Sequence, residues 1–291
     1  SGGQVLLSSK DNAASAIAEK FGDIPQYNVY TLCSKPSGEI ANEYTLKVYS
    51  DPEDYERNTP DLKSFFAGIQ ERVQVFIMGS SMSSMYSLGI LEQLRDKELD
   101  VFYIKPDVEL LTGIPRLVEN ATYGILQEYA RSGLFNSLTL MSNQSIEKIH
   151  QDLNLKQYYS MLNDTIFSSV HYLNYFHHTD PHIGNVAKPN SVNKIRAIAA
   201  LDMKKINENW LFELDSEREL CYYMCINEKR LETEAGLHKR LVDILKKKPR
   251  NAFRKISYAI YETHLKDFGF CVAHTNAIQQ QKNTLDTLEQ E

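Results

Sequence analysis

Apolar and polar positions along this chain alternate between two periods. Residues 73–78, VQVFIM, form a continuous apolar run, the pattern of a strand buried on both faces of a parallel sheet. Shorter apolar or alternating runs at 4–7, 27–33, 44–49, 100–104 and 137–141 predict further strands. Ala14, Ile17, Ala18 and Phe21 recur at helical spacing and predict a helix over 13–21. Helices are also predicted over 62–70, capped by Asp61, over 86–96 and over 116–132. Residues 51–60 are charged and predict a loop. From Asn143 a short helix opens, followed by a long one of about twenty residues reaching Phe176. Beyond it, 195–200 is apolar, 201–207 predicts a short helix, and 220–226, 232–247, 255–262 and 268–275 predict a strand, a helix and two strands.

Repeated βα units imply a parallel sheet with helices on both faces. The fold class is therefore α/β: a Rossmann-like domain, a long central helix and a smaller α+β C-terminal domain. The expected boundaries are 1–156, 157–178 and 179–276, with an exposed acidic tail over 277–291.

With 291 residues and 42% hydrophobic content, the chain can bury a sizeable core. A net charge of −6 argues against a general nucleic-acid binder. No apolar run approaches the roughly 18 residues of a membrane span. No leader is visible, Ser1-Gly2-Gly3 reads as an appended start, and a cytoplasmic protein is expected. Cys33, Cys221, Cys225 and Cys271 are scattered and read as buried, reduced thiols. The segment His177-His178-Thr179-Asp180-Pro181-His182 is rich in metal-binding residue types. No spaced partner completes a site, so it reads as a solvated loop.

Tyr159 and Asn163 stand four apart on the long helix and share one face. With Asn143 they offer an aromatic plane and two amides, which suits a flat heterocyclic base: stacking on its face, hydrogen bonds on its edge. Two strand–turn–helix units precede them, around residues 8–12 and at Gly79-Ser80-Ser81-Met82-Ser83-Ser84-Met85. That geometry aims helix N-terminal amides at a phosphate.

The stretches SNQSIEKI (142–149) and YSMLN (159–163) resemble the guanine-binding segment of the tubulin/FtsZ superfamily. In length the chain resembles the bacterial and phage members, the TubZ and PhuZ type. The resemblance implies GTP or GDP, with Mg, as cofactor. Asn143, Tyr159 and Asn163 would hold the base. Gly79, Ser80, Ser81, Ser83 and Ser84 would cradle the phosphates, and Asn12 would lie near them. The family's glycines are mostly replaced in both turns, and Met82 stands where a phosphate-binding threonine is usual. Glu119 and Asn120 become candidates for the ribose.

LDMKKIN (201–207) resembles the synergy loop, which reaches the nucleotide of the next subunit. Asp202 matches its first acid; Lys205 replaces the second, and a charged lysine is no general base. The implied function is a divergent cytoskeletal protein that assembles head to tail with itself, with slow or absent GTP hydrolysis. The alternative is a protein of the same fold that has lost nucleotide and acts structurally or as a regulator. An unrelated Rossmann-like enzyme would need a Gly-x-Gly-x-x-Gly after the first strand, which is missing.

Overall fold

The computed structural model describes residues 3–8, 13–35, 42–70, 72–79, 82–150, 154–249 and 254–281. Asn12, Ser80, Ser81 and the tail beyond 281 lie outside the described residues.

The first half alternates as its apolar runs predict. In order come β1 (Gly3–Ser8), α1 (Ala13–Gly22), β2 (Asn28–Cys33), β3 (Glu43–Thr45), α2 (Pro52–Arg57), β4 (Arg72–Met78), α3 (Ser87–Gln93), β5 (Glu98–Lys105), α4 (Ile114–Arg131) and β6 (Ser137–Ser142). Then α5 (Asn143–Ile149) leads into α6 (Leu155–His177). The second half is β7 (Ile183–Asn185), β8 (Ile195–Asp202), β9 (Asn207–Trp210), β10 (Glu219–Asn227), α7 (Glu228–Thr233), α8 (Leu237–Lys246), β11 (Lys255–Thr263) and β12 (Phe268–Thr275).

The strands form one sheet in the order β3-β2-β1-β4-β5-β6-β8-β12-β10-β11-β7, with β9 added on β8. From β3 to β8 every neighbouring pair is parallel. β12 then runs antiparallel to both β8 and β10. Parallel strands need covering on both faces. One face packs Ile17 and Phe21 of α1 and Leu162, Ile166 and Val170 of α6 against Phe76 and Phe102. The other packs Ile90 and Leu91 of α3 and Tyr123 and Leu126 of α4 against Val75, Val101 and Leu140. In the second half α8 closes a smaller core through Leu237, Leu241 and Leu245.

Several expectations are corrected. The strand at 44–49 ends at Thr45. The loop at 51–60 holds α2: Asp51 accepts from the Glu53 N–H, and Pro52 occupies the first turn, where no amide is needed. The helix expected over 62–70 is a run of turns. Leu62, Phe66 and Ile69 all reach the core, and Gly68 lies against Tyr30, where a Cβ would be 2.8 Å from the hydroxyl. The helix expected over 86–96 is shorter and follows a 3-10 turn at Met82–Tyr86. The one over 232–247 is two, broken at Gly236 with φ +75°. Residues 201–207 form no helix; they turn β8 into β9. The start of the expected loose tail is held, because Gln279 is buried and bonded to Gln127.

Candidate functional site

The parallel register brings the ends of β4, β5 and β6 to one edge, so Met78, Lys105 and Ser142 lie on the same side of the molecule. Gly79 and Asn143 follow two of them directly. α6 starts near this edge, following α5. Asn154 caps it, with Oδ1 accepting from the Gln157 N–H at 3.0 Å. At about 1.5 Å per residue its 23 residues span roughly 34 Å. Near its other end Asn174 pairs with Gln74 of β4, and the His177 imidazole feels Arg72, Asp100 and Glu98, at the starts of β4 and β5. The central helix therefore runs from the carboxyl edge of the parallel strands to their amino edge.

Asn163 and Tyr159 occupy successive turns of α6 on one face. Asn163 is only 7% exposed. It heads a stripe continued by Phe167, His171 and Asn174, which touch Phe21, Tyr27 and Gln74 of the first three βα units. Beside it Asp164 pairs with Lys20 of α1, both partly exposed. Asn143 is the first residue of α5 and half-buried. The structure thus brings Asn143 and the α6 face to one edge; the Tyr159 side chain lies outside what it describes.

The turn after β4 is packed from beneath. The Gly79 N–H donates to Ile104 O at 2.9 Å. A Cβ on Gly79 would lie 2.8 Å from Tyr103 Cζ and 2.9 Å from Pro106 Cδ, so close approach alone requires glycine here. Ser84 is buried, its Oγ has no hydrogen-bond partner among the described residues, and its carbonyl accepts from Ser87 Oγ. The Ser83 and Met82 side chains lie outside the description.

Glu119 is corrected as a ribose candidate. It is fully buried, and its carboxylate is taken by Lys105, Tyr103 and Gln281. Asn120 is exposed on α4.

The strand pairing also decides which edge carries Asp202. β8 runs parallel to β6, with Ile195 opposite Leu138 and Ala197 opposite Leu140. Its last residue, Asp202, therefore sits toward the same edge as Ser142 and Asn143. A group that acts on the next subunit's nucleotide in a head-to-tail stack must lie at the opposite end. Asp202 instead accepts from the Lys204 N–H at 3.0 Å and shapes its own turn. Beside that turn is a cleft of about 550 Å³ lined by Met203, Lys204, Asn227, Arg230, Lys266 and Asp267, where Arg230 is already paired with Asp267.

At the amino edge α6 delivers the loop that begins His177-His178-Thr179-Asp180. Burial, Arg72 and His178 push the His177 imidazole below its usual value, so it is neutral at pH 7. Among the described residues no group of three His, Cys, Asp or Glu is placed to hold a metal ion. No described helix is long and apolar enough to cross a membrane. All four cysteines are free and buried. The polar ladder Tyr27–His171 and Gln74–Asn174 carried no sequence signal beyond helical spacing.

No family pattern and no curated protein sequence matches the chain. Solved structures do match. An empty FtsZ dimer from M. jannaschii superposes with a TM-score of 0.66 at 12% identity, over 94% of this chain and 88% of that one. A GTPγS-form protofilament of TubZ from Bacillus thuringiensis serovar israelensis gives 0.66 at 9% identity, over 99% and 89%. CetZ from Methanosaeta thermophila gives 0.64 at 10% identity, over 99% and 89%. The chain has the tubulin/FtsZ fold.

Proposed function

We propose that this protein binds a guanine nucleotide at the carboxyl edge of β1, β4, β5 and β6, and that copies stack head to tail into a filament. The observation that carries this reading is the course of α6. It starts beside the candidate base-binding residues and ends at the opposite edge of the sheet, so one helix links the two faces that stacking copies would join. Such a contact is heterologous and does not close, so it propagates.

Asn163, buried at the head of its stripe, presents an amide to the base edge, with Asn143 as a second donor and acceptor and Tyr159 as the stacking plane. The residues fit a nucleotide better than a protein-bound metal. With no carboxylate cluster on this edge among the described residues, a magnesium ion would be held by the phosphates it screens. Bound nucleotide supplies the phosphate charge that next-subunit contacts would sense.

Hydrolysis is slow or absent on this reading. Between α6 and β8 the single carboxylate is Asp180, an exposed side chain, and Asp202 lies at the wrong end. Titration with a fluorescent GTP analogue and sedimentation of the assembled protein test the proposal together. Micromolar binding and nucleotide-dependent pelleting are expected; a monomer with neither overturns it.

One observation favours the second reading, a structural or regulatory protein without nucleotide. The Gly79 N–H is committed to Ile104, and the Ser84 hydroxyl is sealed from solvent. Two donors of the turn are then unavailable to a phosphate. Assembly that proceeds equally well without nucleotide would decide for it.

A further inference from the structure

Tyr103 and Lys105 are two apart on β5 and so project from one face of the strand. On that side α4 places Glu119, which has no exposed surface. Glu119 Oε1 accepts from Lys105 Nζ at 2.6 Å and from the Tyr103 hydroxyl at 3.0 Å. Its Oε2 accepts from Gln281 Nε2 at 2.7 Å. A carboxylate this deep persists only when a charge partner and hydrogen bonds replace its water. Here two separate parts of the chain supply them: β5, through Lys105 and Tyr103, and the C-terminal segment, through Gln281.

The same tyrosine is the floor under the phosphate turn. Its ring leaves no room for a Cβ on Gly79, and Pro106 closes the other side. Contacts this tight transmit a shift instead of absorbing it. On the far side, residues 276–281 leave β12 and return across α4. The Gln279 N–H donates to Gln127 Oε1 at 2.6 Å, Gln127 Nε2 donates to Gln279 O at 3.1 Å, and Gln279 Oε1 accepts from the Asp215 N–H at 2.7 Å. This C-terminal strap thus reaches Gly79 through only two side chains, Glu119 and Tyr103.

We infer that Glu119 is a positioning residue for the phosphate turn, acting through Tyr103, and that the strap at 276–281 sets its position. A load on the chain beyond Gln281 then alters the nucleotide site. The inference rests on the nucleotide reading above for its functional consequence.

The test uses the full chain carrying Gln281→Ala, followed by amide hydrogen exchange without nucleotide, by urea unfolding and by affinity for a fluorescent GDP. Exchange across Gly79 and residues 82–86 should quicken about tenfold, the effect of losing one hydrogen bond to a charged group. Exchange in α6 and β10 should stay unchanged, and nucleotide affinity should fall in step. Tyr103→Phe keeps the ring but cuts the link to Glu119 directly; it should act in the same direction and at least as strongly. Faster exchange confined to 276–281, with 79–86 at wild-type rates, overturns the coupling. If the wild-type chain binds no guanine nucleotide, the functional reading fails, and the exchange measurement still decides whether the strap controls the turn.

Discussion

Gln74 and Asn174 exchange two hydrogen bonds, Gln74 Nε2 to Asn174 Oδ1 at 2.8 Å and Asn174 Nδ2 to Gln74 Oε1 at 2.9 Å. The pair ties the central helix to the middle of the parallel sheet near the end where the helix leaves it. Asn174 Nδ2 also reaches the Tyr27 hydroxyl at 3.2 Å, and that hydroxyl lies 3.0 Å from His171 Nδ1. Three βα units therefore hold one helix in register by polar contacts, with Phe21–Phe167 packing between them.

Asn174→Ala should remove both hydrogen bonds to Gln74, which is only 4% exposed. A loss of about 1–3 kcal/mol is expected, from two buried amide bonds at about 0.5–1.5 kcal/mol each. Urea unfolding measures it. Replacing both residues by leucine should cost less than the sum of the two single changes, since each single change removes the same two bonds. A double variant whose cost equals that sum would refute the pairing.

His274 gives the molecule an acid-sensitive limb. Burial, and secondarily Arg196, push its imidazole down to about 3. The unfolded chain takes up a proton near pH 6.5 and the folded chain does not. The stabilisation is therefore complete above that pH and declines as pH falls toward 3. The slope should approach one proton, about 1.4 kcal/mol per pH unit. Asp100 adds a second limb. Burial alone would raise its carboxyl, but Arg196, Arg72, Ser137 and Asn136 together hold it below the usual value. Its contribution is present above the ordinary aspartate range and is lost as pH falls through the lowered folded value. Stability measured from pH 7 to 3 should fall less steeply in His274→Gln; an unchanged slope would show that this histidine is not the cause.

Asn163→Ala should weaken guanine-nucleotide binding about tenfold while leaving adenine nucleotides as weakly bound as before, because an edge contact specifies the base. Tyr159→Ala should cost about 1–3 kcal/mol for either base, the usual value of one stacking plane. Competition titrations separate the two effects. Equal losses for guanine and adenine in Asn163→Ala would remove the amide from the base edge.

Phosphate release at polymerising concentrations separates the two aspartates. Asp202→Ala should leave any turnover unchanged, since β8 carries that residue to the carboxyl edge, the edge proposed for the subunit's own nucleotide and not for its neighbour's. Asp180→Ala should abolish whatever turnover exists, because this acid lies on the loop leaving α6. The reverse pattern would mean that subunits do not stack along the helix.

The sequence alone settled whatever depends on local pattern. The buried run at 73–78, the alternation of strands and helices and the long helix that reaches Phe176 all follow from which side chains must leave water. Asn143, Tyr159 and Asn163 could be grouped because helical spacing puts two of them on one face and the chain places the third at a strand end. Even α2 was locally encoded, by Asp51 and Pro52, although charge made it read as loop.

Only the tertiary structure decided which direction each segment takes. Asp202 fits a loop motif by composition, yet the parallel pairing of β6 with β8 carries it to the wrong edge. That register is fixed by contacts between segments more than fifty residues apart, which no local period records. Glu119 has the sequence setting of a solvated helix residue; in the fold it is buried against Lys105 and Tyr103 of β5 and Gln281, which returns from the far end of the chain. Direction and depth come from long-range packing, whereas period and capping come from each residue's immediate neighbours.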